Sequence, residues 1–398
     1  MTAGLYIHFP FCEIRCGYCD FFTITNRDAR IPAFLDALKS EFQIYSRNPA
    51  ATELLYSTLY FGGGTPSLLQ PAQLADIIEA ARSAFHFHDE TEITLETNPG
   101  TVDFDRLREL LAVGINRLSI GVQSFHEEEL RFLDRDHTAT DAVRCFDNAR
   151  KAGFLNISID LIFSLPGQDI AAWRDNLKSA VSLQPDHISA YNLTFEDGTP
   201  LTTQLRQGRF RTLPDETQRE MHLLTIEKLS AAGLGHYEIS NYAAHGFESK
   251  HNQKYWDGSA YLGMGPSSHS YLDGRRFWNV RNLKGYIDSM NQSKLAVDGG
   301  ETLNERQAAF ERIYLGLRQR CGVNLHAFEQ EFGISLLERH GDVLKKFFEC
   351  DFSVEEIMAD LSGGARHLKH ELLEIRDGFL RLTTAGVILC DAICAEFA

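Results

Sequence analysis

Between residue 4 and about residue 195, short runs of β-branched and aromatic residues alternate with longer stretches whose apolar positions recur every three or four residues. The short runs have the length and composition of buried strands, and the longer stretches have the period of amphipathic helices. Strands are predicted at 5–9, 54–61, 92–97, 117–122, 156–163 and 187–191, with helices between them at 31–45, 71–85, 103–113, 140–152 and 171–183. Repeated strand and helix units build a parallel sheet covered by helices. Six units are fewer than the eight that close a barrel, so the expected fold class is α/β, a partial open (β/α)6 TIM-like barrel.

Polar or glycine-rich stretches follow these strands: GGGTP, ETNPG, GVQSF, DLIFSLPGQ and YNLTFEDGTP. In parallel α/β folds, ligands bind at those carboxyl ends. A further helix is expected at 215–231, followed by the polar, aromatic HYEISNYAAHGFESKHNQKYW and the glycine-rich YLGMGPSSHSYLDG. After residue 301 the pattern changes to helices and then to DGFLRLTTAGVILCDAI, a hairpin followed by a helix. A small C-terminal winged-helix-like domain fits. The expected organisation is a partial barrel at 1–200, an extension of it carrying HNQKYW at 201–300, and the C-terminal domain at 301–398. No solenoid-length repeat and no low-complexity linker is visible.

Composition narrows the function. With 55 acidic against 39 basic residues, a net charge of -16 and no basic run, the chain lacks the electrostatic footprint of a nucleic-acid binder. No apolar stretch reaches the length of a membrane span, so a soluble protein is expected. The opening MTAGLYIHF lacks the basic and long apolar segments of a secretory signal, and a cytoplasmic location is the expectation. Eight cysteines are too sparse for a disulfide scaffold, yet Cys12, Cys16 and Cys19 fall within eight residues directly after the first strand. Cys145, Cys321 and Cys350 show no metal spacing, and Cys390 and Cys394, four apart in an apolar segment, read as core thiols.

A C-x3-C-x2-C spacing on a loop lets three thiolates wrap an iron–sulfur cube and leaves one iron open to a small ligand. A zinc knuckle completed by His8, or three incidental thiols, fits the spacing as well. Gly62, Gly63 and Gly64 would let a ligand approach the backbone closely, although such a run also serves as a plain turn.

Cys12, Cys16, Tyr18 and Cys19 after the first strand, with Gly62-Gly63-Gly64-Thr65-Pro66 after the second, resemble the radical S-adenosylmethionine superfamily. LYIHFPFC, TLYFGGGTPSLL, EITLETNPGT, INRLSIGVQSF, NISIDLIFSLPGQ, HISAYNLTFEDGTPL, HYEISNYA, HNQKYW and YLGMGPSSHSY resemble, over nearly the whole chain, the family of coproporphyrinogen dehydrogenases and HemW-type heme chaperones. The resemblance implies a [4Fe-4S] cluster on Cys12, Cys16 and Cys19, with S-adenosyl-L-methionine at the open iron. It carries cofactor contacts to Tyr6, Tyr18, Gly63, Gly64, Thr65, Glu96, Gln123, Arg135, Asp160 and Thr194. The chemistry agrees, since Glu96 and Asp160 can accept from ribose hydroxyls and Arg135 can bind a carboxylate in a bidentate manner. Blander roles stay open: Glu96 as a helix cap, Gln123 as a turn residue, Arg135 with Asp136 as a solvated pair.

The resemblance leaves several functions. The oxidase branch decarboxylates two propionates of coproporphyrinogen III. Its cysteine motif continues to a fourth cysteine where this chain has Phe21, and it carries a longer segment ahead of the cluster than the eleven residues here. The chaperone branch binds heme and hands it to apo-hemoproteins, with HNxxYW as its associated motif. That motif maps to His251, Asn252, Tyr255 and Trp256 as heme residues, and His269 in GPSSHSY is a further candidate ligand. A heme chaperone carrying the cluster and S-adenosylmethionine is the expectation, with the oxidase as the alternative and a radical tRNA-modifying enzyme disfavoured by the acidic charge. Expected partners are heme and apo-hemoproteins, membrane-bound respiratory ones included, with peripheral membrane association through a partner and a cluster-dependent dimer as one assembly.

Overall fold

The computed structural model describes residues 2–25, 28–348 and 368–398. The chain divides into two compact units, one made of Met1–Gly235, Ser240–Lys254 and Ser259–Thr302, the other of His236–Ile239, Tyr255–Gly258 and Leu303–Ala398.

In the first unit, β1 (Ala3–Phe9), β2 (Leu55–Gly63), β3 (His86–Thr97), β4 (Arg117–Gln123), β5 (Ile157–Phe163) and β6 (His187–Asn192) are neighbours in sequence order. Every pair is parallel. The row does not close on itself. Beyond β1 lie Tyr261–Met264, parallel to it, and then His269–Leu272, Arg275–Asn279 and Val297–Thr302, all antiparallel, while β6 pairs antiparallel with Asn241–Ala243. The open α/β barrel is therefore as the hydrophobic pattern implies. The antiparallel extension through YLGMGPSSHSYLDG is an addition to it.

Alternation along the strands sorts the two faces. Leu5, Ile7, Phe61, Leu95, Leu118, Ile120, Ile159 and Ile188 are buried in the main core, to which Ile31–Tyr45, Pro71–Ala84, Phe104–Ala112, Ala139–Ala152 and Ile170–Ser182 contribute their apolar residues. These helices start and stop on local signals: Thr138 and Asp141 form a capping box, and Gly153 at φ 109 ends the same helix in the left-handed region. The alternate positions are polar: Tyr6 and His8, Thr58 and Tyr60, Thr94 and Glu96, Arg117 and Ser119, Ser158 and Asp160, His187 and Ser189. The barrel interior is thus a polar chamber.

The second unit packs Glu305–Leu317, Leu325–Phe332, Leu336–Arg339 and Gly341–Phe348 with an antiparallel sheet ordered Val323–Asn324, Phe379–Leu382, Leu373–Arg376, Leu368–Lys369. Ile313, Leu317, Phe328, Leu380 and Val387 lie in its core. The predicted hairpin turns at Asp377 and Gly378, with φ of 53 and 78, the two left-handed residues of a tight hairpin turn. Cys390 and Cys394 are buried in this core with sulfurs 3.9 Å apart, whereas Cys350 lies outside the described residues. Among the described residues, no helix is long and apolar enough to cross a membrane.

Candidate cluster and cofactor site

At the carboxyl end of β1 the chain runs from Phe9 into the cysteine loop, and β2 stays paired with it to the end, His8 against Gly62 and Phe9 against Gly63. Past the ladder, the Gly64 amide donates to the Phe9 carbonyl at 2.7 Å and the Thr65 amide to the Phe11 carbonyl at 2.8 Å. The Cys12 amide donates to Ile24 O and the Ile24 amide to Pro10 O, closing the base of the loop. Each glycine of the run is closely approached. A Cβ on Gly62 would stand 2.9 Å from Glu96 Oε1, one on Gly64 2.5 Å from Phe11 O, and one on Gly63, at φ 107, 2.6 Å from the His8 ring. The segment is the end of a strand stripped of side chains, not merely a turn.

Cys12, Cys16 and Cys19 are free thiols, each half-buried. Thr65 Oγ1 donates to Cys12 Sγ at 3.5 Å, Arg135 Nη1 to Cys16 Sγ at 3.5 Å, and the Phe21 amide to Cys19. Burial pushes the Cys12 thiol up to about 11 and raises Cys19, and the nearby sulfur charges oppose ionisation further. Three soft ligands whose charges repel one another are matched to a cationic iron–sulfur group, whose binding releases their protons. Among the described residues, no three His, Cys, Asp or Glu side chains stand as a preformed metal cage, so the fit rests on the donor set and its loop. His8 does not complete a zinc knuckle. Its Nε2–H donates to Phe22 O at 2.9 Å, its Nδ1 accepts from Tyr6 Oη at 3.2 Å, and burial holds its pKa down to about 4.

The remaining strand ends surround the glycine run. Glu96 caps no helix; Tyr60 Oη donates to its Oε1 at 3.0 Å and the Gly63 amide to its Oε2 at 3.0 Å. Burial lifts the Glu96 carboxyl to about 7 against the pull of those bonds, with the Asp160 charge adding to the rise. Asp160, also raised by burial, accepts from Ser119 Oγ at 2.9 Å. Gln123 ends β4 at φ 65. Arg135 faces inward rather than solvent, donating through Nη2 to Gly121 O at 2.8 Å and to Asn98 Oδ1, and through Nη1 to Cys16. Tyr18 packs on the small cluster of Leu133, Ile162, Leu165, Leu193 and Leu201, and Thr194 lies exposed in the loop after β6.

Profiles of the radical SAM superfamily and of the HemN C-terminal domain match residues 6–180 and 303–389. The heme chaperone HemW of Bacillus subtilis (strain 168) is 35% identical over 345 residues, spanning 86% of this chain and 90% of its own length. The chain belongs to the HemW family of radical SAM proteins. The heme chaperone HemW of Lactococcus lactis subsp. lactis is 33% identical across 85% of this chain and 87% of its own. Among solved structures, coproporphyrinogen III oxidase (HemN) from Escherichia coli, titled a radical SAM enzyme, superposes with a TM-score of 0.80 at 25% identity, covering 100% of this chain and 90% of that one.

Membership of the radical SAM superfamily implies a [4Fe-4S] cluster; Cys12, Cys16 and Cys19 would hold it, and it would supply an open iron for S-adenosylmethionine. This chain's residues hold the surroundings. The bare Gly62–Gly64 segment gives room at the strand end, Thr65 and Arg135 donate to the Cys12 and Cys16 sulfurs, and the half-buried Glu96 and Asp160 carboxyls would face a cationic ligand.

The HNQKYW segment forms part of the helix Lys250–Asp257 but is divided, with residues through Lys254 in the first unit and Tyr255–Gly258 in the second. His251 is 1% exposed, its Nδ1 2.7 Å from Thr58 Oγ1 and its ring stacked on Tyr60 at 4.9 Å. Glu92 accepts the amides of Lys250 and His251 at the start of that helix, and the Asn252 amide donates to Ser249 Oγ. In the second unit, the Arg318 guanidinium lies 5.2 Å over the Trp256 ring, and Gln319 Nε2 donates to Trp256 O. Tyr255 is half-buried there.

Sequence reasoning missed Tyr60, Asn98, Ser119 and the buried Arg117, all set on or beside the polar interior face. A signal was present, because T-x-Y-x-G at 58–62, T-x-E at 94–96, R-x-S-x-G at 117–121 and S-x-D at 158–160 alternate with period two.

Proposed function

We propose that this chain is a heme chaperone, binding heme and delivering it to apo-hemoproteins while carrying a [4Fe-4S] cluster and S-adenosylmethionine at the cysteine loop. The observation that carries the reading is the 35% identity, over 90% of its length, to a protein named heme chaperone HemW. Phe21 supports it, since the resemblance to the oxidase branch calls for a cysteine there and Phe21 is instead 65% exposed beside the loop. Its acceptors include membrane-bound respiratory hemoproteins, the protein works in the cytoplasm, and cluster loading favours a dimer. The oxidase reading draws on the likeness to HemN over the full chain.

One experiment separates them. After anaerobic cluster reconstitution, the protein is assayed in parallel for heme transfer to an apo-hemoprotein and for coproporphyrinogen III decarboxylation. Heme transfer without decarboxylation is expected; turnover of coproporphyrinogen III without heme binding would overturn the proposal.

A further inference from the structure

Residues opposite one another in a ladder share a face. Tyr6 is paired with Gly263, Tyr261 with Tyr271, His269 with Trp278, and Tyr271 with Arg276, so the polar interior face of β1 continues outward along the antiparallel edge of the sheet. Along that edge His269 is exposed, and its ring centroid lies 5.7 Å from that of Trp278. Glycines flank the pair. A side chain on Gly263 would overlap the His269 carbonyl, and the Trp278 ring lies where a Cβ on Gly299 would stand, 2.6 Å from Cζ2. The result is a half-open surface bearing an imidazole and an indole whose ring planes are tilted by 31°.

Positive charge adjoins it in a chain whose net charge is -16. Arg276 follows Trp278 on the same face, its Nη1 3.0 Å from Glu301 Oε1, and its charge joins partial burial in lowering the His269 pKa. Both effects favour the neutral imidazole, the form that binds iron. Arg281 is 56% exposed and ion-paired with Asp20 at 3.3 Å, and His8 senses the charges of both Arg281 and His269.

We propose that heme lies on this edge, with His269 as the axial iron ligand, Trp278 against the porphyrin and Arg276 toward a propionate. This rests on the heme-chaperone reading and assigns the ligand within it. A flat macrocycle, an iron that takes an imidazole, and pendant carboxylates find their three complements within two adjacent strands. His251 is the weaker ligand. Its ring is closed in by Tyr60, Tyr6 and Thr58, and iron reaches it only by opening the packing of β1 and β2.

The test titrates ferric heme into the anaerobically reconstituted full chain and its His269→Ala variant, with affinity from absorbance and ligation from resonance Raman. We expect at least ten-fold weaker binding and loss of the imidazole-ligated signature in the variant, with added free imidazole restoring the signature. Cluster content, read by iron and sulfide analysis, is expected to stay at the parent level because His269 is exposed. Wild-type affinity and signature in His269→Ala would overturn the ligand assignment while leaving the chaperone reading standing. A parent protein that binds no heme overturns both.

Discussion

Gly63→Ala tests whether the glycine run is dictated by sterics. At φ 107 the backbone there lies where an alanine costs about 1–2 kcal/mol. The new methyl would stand 2.6 Å from His8 Cε1 and Nδ1, and the ring cannot swing away freely, because Tyr6 Oη and Phe22 O hold its two nitrogens. Displacing it breaks one of those bonds, about 1 kcal/mol, and overpacks a site 4% exposed, about 1–3 kcal/mol more. Alanine restores roughly 0.4–1 kcal/mol by restricting the unfolded chain, leaving a net loss of about 4 kcal/mol. Gly100→Ala is the control, since nothing lies within 4 Å of a Cβ built there. Equilibrium urea unfolding of both variants against the parent checks the difference. With a slope of roughly 3 kcal/mol/M, the Gly63→Ala midpoint should fall by about 1 M while the control stays within about 0.2 M. Coincident midpoints for the two variants would refute the steric argument, and with it the claim that the strand end must be bare for a cofactor.

The fully buried Glu41 accepts from Gly265 N, Tyr286 Oη and Asn279 Nδ2, and burial lifts its carboxyl from 4.5 to about 7. A raised folded-state value means that its stability contribution is complete below the unfolded pKa and lost as pH rises through 7, about 3 kcal/mol over that window. Unfolding midpoints of the parent and of Glu41→Gln between pH 5 and 8 should therefore show a decline in the parent that the variant lacks; parallel profiles would rule this out. Arg117 is 2% exposed, its Nε has no hydrogen-bond partner, and its charge reaches the Glu96 and Asp160 carboxyls without a close ion pair among the described residues. Arg117→Met is expected to leave thermal stability unchanged or raised, whereas a loss above about 3 kcal/mol, the cost of breaking a buried charge pair, would show that the guanidinium is paired after all.

The barrel was legible because its strands and helices repeat a local pattern. The helix Ile31–Tyr45 falls where its apolar spacing puts it, and the helix Asp215–Ala231 likewise. Boundaries failed where the determinant lies on another strand. The pattern of β2 stops at Phe61, since glycines carry little strand propensity, but pairing of His8 and Phe9 carries β2 on to Gly63. β3 starts at His86 rather than at 92, because Leu55 pairs with His86 and Tyr56 with Phe87, at the head of a stretch, HFHDET, that no hydrophobic alternation marks.

The same distinction governs the site. Spacing alone names Cys12, Cys16 and Cys19, since all three sit on one short loop. Whether a histidine faces solvent or core is a property of its neighbours across the sheet, and His251 and His269 cannot be ranked by the segments that carry them. Within HNQKYW the imidazole looks like the ligand, yet it is packed against two tyrosines and bonded to Thr58. Within GPSSHSY it looks like part of a turn, yet the register with Trp278 leaves it open beside an arginine. Motif and exposure thus point to different histidines, and exposure is the stronger criterion for a ligand that must enter and leave, because a heme iron bound to a residue 1% exposed could be handed on only by partly unfolding the barrel.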